Sequence, residues 1–321
     1  MKRMQLQRVA VIGGGTGTFI TLTGLKKYPI DLGVVVAMTD SGGSTGRLRD
    51  QYGVLPPGDL RQCLVALSQS DEIWRELFLY RFDKGDFAGH NFGNILLSVL
   101  EKISPNYREV IKRASTILNV KGGIFPVTFK KTNLKAKYES GKVIKGEALI
   151  DKDNHFGRVI SLSLTPPSIA NPNAVKRLKN SDFVVIGPGD LYTSLIPCLL
   201  PHGIVKALSK LKIIFVANLM NKSGQTDGFT LTGHVSEIEK YLNRPVNKII
   251  VNNATLPQKA VLYYQKYKED PVLDDLKADR RVVREDLLSY SQYKNKKGDM
   301  LKRSLLRHDP EKLAKAIFKL M

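Results

Sequence analysis

Asp40 opens the stretch Asp40-Ser41-Gly42-Gly43-Ser44-Thr45-Gly46-Arg47-Leu48-Arg49, which places an acid, hydroxyls, glycines and two arginines close together. The forked guanidinium groups of Arg47 and Arg49 match phosphate oxygens. An aspartate in such a loop suits a ribose hydroxyl or a divalent cation such as Mg²⁺, and its structural alternative is to cap the next short helix. Asp59, in Leu55-Pro56-Pro57-Gly58-Asp59-Leu60-Arg61, reads first as the N-cap of a helix beginning at Leu60, with metal ligation beside Asp40 as a second role. If the chain is an enzyme, Asp40 and Asp59 are its catalytic and Mg²⁺-binding candidates.

Two further loops combine glycine with hydroxyls. Gly13-Gly14-Gly15-Thr16-Gly17-Thr18 is not a strict GxGxxG, since Thr18 takes the third glycine position, and it lacks the lysine of a P-loop. Its glycines still let backbone N–H groups approach a phosphate, and a helix N-terminus favours negative charge. Gly187-Pro188-Gly189-Asp190-Leu191-Tyr192-Thr193-Ser194 suits a second phosphate or a sugar, through Asp190, Tyr192, Thr193 and Ser194 among others. His90, in Gly89-His90-Asn91-Phe92-Gly93-Asn94, is a candidate anion donor or acid/base, and a backbone-bonded histidine is at least as good a reading. Asn91 and Asn94 accompany it. Asn218 and Thr226-Asp227-Gly228 would contact a base or sugar, or cap. There is no Ser-His-Asp order, HExxH or CxxC, so hydrolase and zinc readings have no support.

These loops need elements behind them. Val9–Ile12 reads as a first strand, Thr18–Lys27 as the helix that follows, and the Val-rich 31–37 as a buried second strand. Helical patterns follow at 60–68, 73–80, 92–102 and 107–118. Near Gly122 the pattern changes: Leu134, Ala136 and Tyr138 alternate with Lys135 and Lys137, and Glu139-Ser140-Gly141-Lys142 is a hairpin turn. Strands at 182–186, 212–217 and 248–251 then alternate with helices, which argues an α/β fold on a doubly wound parallel sheet. The divisions are therefore 1–120 as the first part of the nucleotide-binding core, 121–165 as a small β-rich subdomain, 166–265 as the second part of the core, and 266–321 as a charged tail with a C-terminal helix. That helix starts at Asp309-Pro310-Glu311. In an open parallel sheet all the loops above emerge at one edge, beyond the carboxyl ends of the strands, where ligands bind.

Composition narrows the partners. The 321 residues carry a net charge of +20. Residues 1–110 hold 13 Lys/Arg against 11 Asp/Glu, so nearly all the excess lies beyond them. A basic surface attracts polyanions. The lysines are nevertheless scattered, with no helix-turn-helix, RRM or zinc-finger pattern, which favours a solvated surface over nucleic-acid binding. No apolar run is long enough to span a bilayer. The opening residues are too short in apolar content for a signal peptide. The two cysteines, Cys63 and Cys198, lie in apolar surroundings. The expectation is a cytoplasmic protein without a membrane span, with homo-oligomerisation left open.

Together, "VIGGGTGT", "DSGGSTGRLRDQYGVLPPGDLRQCLVAL", "GHNFGN", "GPGDLYTSL", "NLMNKSGQTDG" and "VNNATLP" resemble the bacterial gluconeogenesis factor family, in one superfamily with the 2-phospho-L-lactate transferases of coenzyme F420 synthesis. The resemblance runs in order from about residue 8 to 271, and RHDPEKLA near the end also fits. It implies a Rossmann-like three-layer α/β/α core with a small β-rich insertion and a bound nucleotide or nucleotide sugar, UDP-N-acetylglucosamine in the bacterial branch. The implied role is support of cell shape and wall-precursor supply on gluconeogenic carbon sources. Tyr264 and Arg307 fall at family positions that contact the nucleotide sugar. Many members carry two consecutive aspartates where this chain has Asp40-Ser41, which weakens a metal-dependent transferase reading, and Pro310 removes a threonine that other members carry.

The leading expectation is a regulatory protein that binds a uridine nucleotide sugar through Gly13–Thr18, Asp40, Ser41, Gly42, Gly43, Ser44, Arg47, Arg49 and Gly187–Ser194. The alternative is a Mg²⁺-dependent transferase moving a phosphorylated group from a nucleoside diphosphate donor onto a hydroxyl. An NAD-dependent oxidoreductase is disfavoured by Thr18 and by the lack of a hydride-transfer dyad.

Overall fold

The computed structural model describes residues 6–152, 156–289 and 305–321. Val9–Ile12 and Leu32–Val36 are apolar throughout and buried throughout, as a strand covered on both faces must be. They form the centre of a seven-stranded parallel sheet made of β1 (Arg8–Gly13), β2 (Asp31–Val36), β3 (Gly123–Pro126), β7 (Phe183–Ile186), β8 (Lys212–Val216), β9 (Lys248–Asn252) and β10 (Val282–Glu285), in the order β10-β9-β8-β7-β1-β2-β3. A separate antiparallel sheet of β4 (Asn133–Tyr138), β5 (Val143–Lys145) and β6 (Val159–Thr165) has the order β5-β4-β6. With helices flanking the large sheet, this is the Rossmann-like α/β/α fold with a small β-rich insertion. From β1 the chain builds outward through β2 and β3, then returns to place β7 on the other side of β1. The order reverses between β1 and β7, the switch point at which open α/β sheets form a crevice beyond the carboxyl ends of their strands.

Arg177 ties the two halves together. Its guanidinium donates to both carboxylate oxygens of Asp31 on β2 at 2.8 and 2.9 Å and to the Val9 carbonyl on β1 at 3.0 Å. The C-terminal helix Pro310–Phe318 packs on the helix Gly15–Leu25 that follows β1. Asp309 caps it by accepting from Glu311 and Lys312 N–H.

Four local features differ from the sequence reading. The helix after β1 begins at Gly15, not Thr18: Gly14 is its extended cap residue and Asp59 accepts the Gly15 N–H, which satisfies the turn ahead of Thr18. The helix carrying Asp59 begins at Pro57, which suits the first helical position, so Asp59 lies inside the first turn and is not its N-cap. The strand β3, inside the 121–165 segment, is an edge strand of the large sheet. In the charged tail, Val282–Glu285 forms β10, parallel to β9. None of its four residues is fully buried, which is why no apolar run announced it.

Candidate functional site

The loops after β1 and β7 are locked against each other. A Cβ at Gly17 would overlap the carbonyl oxygen of Pro188, so only glycine allows this backbone-to-backbone approach. The Thr21 hydroxyl donates to the carbonyls of Gly17 and Gly187, both at 3.3 Å. Gly14 caps the helix Gly15–Leu25 with extended backbone and no side chain, and Gly15, Thr16 and Gly17 make the first turn, whose N–H groups have no partner within the helix. Thr18 is fully buried, and its hydroxyl bonds back to the Gly14 carbonyl at 3.2 Å. It therefore braces the turn from inside.

Asp59 takes the first of those donors: Gly15 N–H lies 2.8 Å from its Oδ1. An acid on one helix thus caps the start of another, beside the crevice. Asp40, at the end of the β2 loop, accepts from Gly42 N–H at 2.9 Å, and the helix Gly43–Tyr52 follows with Gly42 as its cap. A Cβ at Gly58 would meet both the Asp40 carboxylate and the Thr45 hydroxyl, so Asp40 reaches across to the start of the Asp59 helix. Burial, and then the Asp40 charge, push Asp59 up to about 7. Burial also raises Asp40, against its bonds to Gly42 and Thr45 and the charges of Arg49 and Arg61.

The insertion adds a third carboxylate. Glu147 accepts from Ser41 N–H at 3.2 Å, and the Ser41 hydroxyl accepts from Ala148 N–H at 2.9 Å, clasping the β2 loop to the small subdomain. Burial, then Asp40 and Asp151, push Glu147 well above the usual carboxylate range. Asp151 accepts from Gln225 at 3.0 Å and pairs with Lys222 at 3.4 Å. Lys222 is lowered by burial but raised further by Asp190, Asp151 and Glu269, so it stays charged. Arg61 is buried, donates to Asn94 Oδ1 at 2.8 Å and the Phe78 carbonyl at 3.2 Å, and acts on both Asp40 and Asp59.

His90 lies 3.2 Å through Nδ1 from the Ser44 hydroxyl, which also accepts Asn91 N–H at 3.1 Å. Burial, then Arg47 and Arg81, lower its pKa and keep the ring neutral near pH 7. Arg47 donates to the Ala88 carbonyl at 2.9 Å, and Arg49 pairs with Asp50 at 3.1 Å. Asn91 caps the helix Phe92–Ile103 through Asn94 N–H, and both asparagines are buried in scaffold bonds.

Beyond β7, Gly187, Pro188 and Gly189 stand at the crevice with Gly13–Gly17, and Asn218 holds them by accepting Gly189 N–H at 3.0 Å. Ser194 and Leu195 N–H turn back onto the Asp190 carbonyl in a π-helical turn, Leu191–Leu195, and the apolar α-helix Ile196–Leu199 follows it. Tyr192 is fully buried and is influenced by Glu237 and Tyr241 on the helix Leu231–Leu242; this places it in the core. Thr193 is buried as well. Thr226 accepts Lys222 N–H and Asp227 accepts Gly224 N–H, both at 2.8 Å, so these two residues shape the β8 loop. Tyr264 accepts Leu306 N–H at 3.1 Å, is buried with Leu219, Leu288 and Leu306, and feels the charge of Arg307. The structure thus brings Tyr264 and Arg307 together. A cleft of about 170 Å³ opens between Asn218, Val251, Asn252 and Pro271 at the ends of β8 and β9. A larger one, about 520 Å³ between Tyr107, Arg108, Phe129 and Lys131, touches the loops above only at Leu55.

Among the described residues no three of His, Cys, Asp and Glu are grouped to hold a metal ion. Asp40 and Asp59 fit Mg²⁺ as a pair of hard oxygen donors whose mutual repulsion a cation would relieve, with phosphate oxygens completing the shell. Arg61, Glu147 and Lys222 were not singled out in the sequence. Glu147 and Lys222 lie far from Asp40 in sequence, and Arg61 reads locally as one polar residue on a helix.

The chain matches the family model of 2-phospho-L-lactate transferase CofD over residues 9–288. It is 32% identical to the gluconeogenesis factor of Bacillus subtilis, covering 99% of each chain, and 33% identical to that of Listeria innocua, covering 100% of this chain and 98% of the relative. Its fold is similar to a UPF0052 family protein of Bacillus halodurans, with a TM-score of 0.89, 32% identity and coverage of 98% of this chain and 99% of that one. Among the described residues no helix is long and apolar enough to cross a membrane. The chain belongs to the 2-phospho-L-lactate transferase CofD family.

Proposed function

We propose that this chain binds a uridine diphosphate sugar of the N-acetylglucosamine type and acts as a regulatory protein, linking nucleotide-sugar supply to cell shape and wall synthesis on gluconeogenic carbon sources. The observation that carries the reading is the interlock of Gly17 with Pro188 at the reversal point of the sheet. It sets a helix N-terminus and a second glycine-rich loop side by side, the arrangement a diphosphate needs. The cleft after β8 and β9 would take the base; Tyr264 is clustered with Leu219, which lines that cleft, and feels the charge of Arg307. Arg47 and Arg49 border the β2 loop, where they would balance phosphate charge. Titration calorimetry with UDP-N-acetylglucosamine and with UDP tests this. Heat with a 1:1 endpoint supports the reading, and no heat with both ligands overturns it.

Asp40 and Asp59 favour a second reading, a transferase in which these carboxylates hold Mg²⁺ against a diphosphate. The ion would neutralise phosphate charge during transfer to an acceptor hydroxyl. Asp40→Asn distinguishes the two readings. Loss of a measured turnover with binding retained supports transfer, and absence of turnover in the unmodified protein supports sensing.

A further inference from the structure

Among the described residues, two faces of opposite charge on this one chain have no partner. The first is built on the helix Glu72–Leu79, which buries only Phe78. Ile73, Leu77 and Tyr80, at i, i+4 and i+7, line up on one side of it, with Ile73 58% and Tyr80 52% exposed. Trp74, the only tryptophan of the chain, is 41% exposed, and Phe87 is 56% exposed. The rings of Tyr80, Phe82 and Phe87 continue the apolar surface, with centroids 5.1 and 5.3 Å apart. Aromatic residues contribute roughly 150–250 Å² each when buried, so this patch is of the size that marks protein docking sites. In a chain of net charge +20, residues 71–87 carry five acids against three bases.

The second face is the outer side of the small sheet. Strand alternation buries Leu134, Ala136 and Tyr138 and leaves Lys135 and Lys137 exposed. The register sets Lys135 directly opposite Lys145 and Lys137 opposite Val143. Like charges directly opposite each other on a sheet are destabilising. Among the described residues none of the three lysines has an ion-pair partner. Val143 and Ile160, 46% and 42% exposed, add apolar surface beside them.

We propose that a second copy of this chain is the occupant of both faces, with the aromatic acidic patch of one copy docking on the lysine face of the next in a head-to-tail contact. Lysine ammonium groups attract aromatic rings as well as carboxylates, so Trp74, Tyr80 and Phe87 together with Glu72, Glu76, Asp83 and Asp86 complement Lys135, Lys137 and Lys145. The contact pairs two different surfaces, so it is heterologous and repeats into a ring or filament.

The test is sedimentation of the full chain over a range of concentrations, at low and high salt. The wild type sediments above monomer size and shrinks with salt. Glu72→Lys/Glu76→Lys and Lys135→Glu/Lys137→Glu each sediment as monomers with unchanged melting, because all four positions are exposed. An equimolar mixture of the two variants regains assembly, since each now complements the other. Ile73→Ser/Tyr80→Ser, mixed with Lys135→Glu/Lys137→Glu, gives a capped 1:1 heterodimer and covers the case in which a charge variant fails to fold. A monomeric wild type, a charge variant that still assembles alone, or mixtures that stay monomeric overturns the proposal.

Discussion

Gly17→Ala and Gly24→Ala form a matched pair that separates the site from the scaffold. Both glycines lie in the helix Gly15–Leu25, and at both a Cβ would overlap a backbone carbonyl oxygen, that of Pro188 at Gly17 and that of Pro310 at Gly24. Replacing a helical glycine by alanine is worth up to about 1 kcal/mol in propensity. Overpacking costs about 1–3 kcal/mol, toward the upper end when the obstacle is backbone that cannot swing aside. The net loss is then about 2 kcal/mol for each variant. At about 2.1 cal/mol/K per residue, a 321-residue chain has an unfolding entropy near 0.7 kcal/mol/K, so each variant melts about 3 °C lower. The two part company in binding. Gly24 opposes the C-terminal helix, away from the crevice, whereas alanine at Gly17 wedges apart the two loops proposed to hold the diphosphate. Losing one charge-assisted N–H contact is worth about 1.5–3 kcal/mol, or about tenfold to a hundredfold in Kd. Differential scanning calorimetry and titration calorimetry with UDP-N-acetylglucosamine read both quantities. Equal affinity of the two variants would refute the claim that the Gly17–Pro188 interlock shapes the ligand site.

The carboxylate pair predicts a pH signature. Asp59 binds its proton more tightly folded, at about 7, than unfolded at 3.8, so its stabilisation is complete below pH 3.8 and is lost as pH rises through 7. Asp59→Asn should flatten that decline in denaturant titrations and make the variant more stable than wild type at pH 8; a parallel decline in both proteins would contradict it. Added Mg²⁺ should raise the melting temperature of the wild type at pH 8 in the presence of UDP and leave Asp59→Asn unmoved. Arg177→Met removes charged hydrogen bonds to Asp31 and Val9 and is expected to lower stability by about 2–3 kcal/mol in urea unfolding, with UDP-N-acetylglucosamine affinity unchanged. Asp309→Ala should lose about 1 kcal/mol of helix capping, read as a small fall in melting temperature.

Much of the fold was legible because its central strands are short apolar runs. Val9–Ile12, the Val-rich run at 31–37 and the strand before Gly187 could be placed from composition alone, and the glycine-containing loops after them marked the sheet edge proposed to hold the ligand. The rest depended on long-range contacts. The four residues of β10 pattern as tail because an edge strand needs only partial burial. Asp59 looked like an N-cap because sequence shows the turn ahead of it but not Gly15, whose N–H it accepts from another helix. Tyr192, Thr226 and Asp227 carry polar atoms suited to a ligand, yet core packing and loop bonds claim them. Glu147 reaches Ser41 only because the insertion folds back over the β2 loop, a contact that no local pattern signals.

The central claim is that a nucleotide sugar sits in the crevice between the β1 and β7 loops. Hydrogen–deuterium exchange with and without UDP-N-acetylglucosamine reads that place directly. The account predicts slowed exchange at Gly13–Thr18 and Gly187–Ser194, with strands β4 and β5 of the small sheet unchanged. Slowed exchange elsewhere with these two loops unmoved would contradict it.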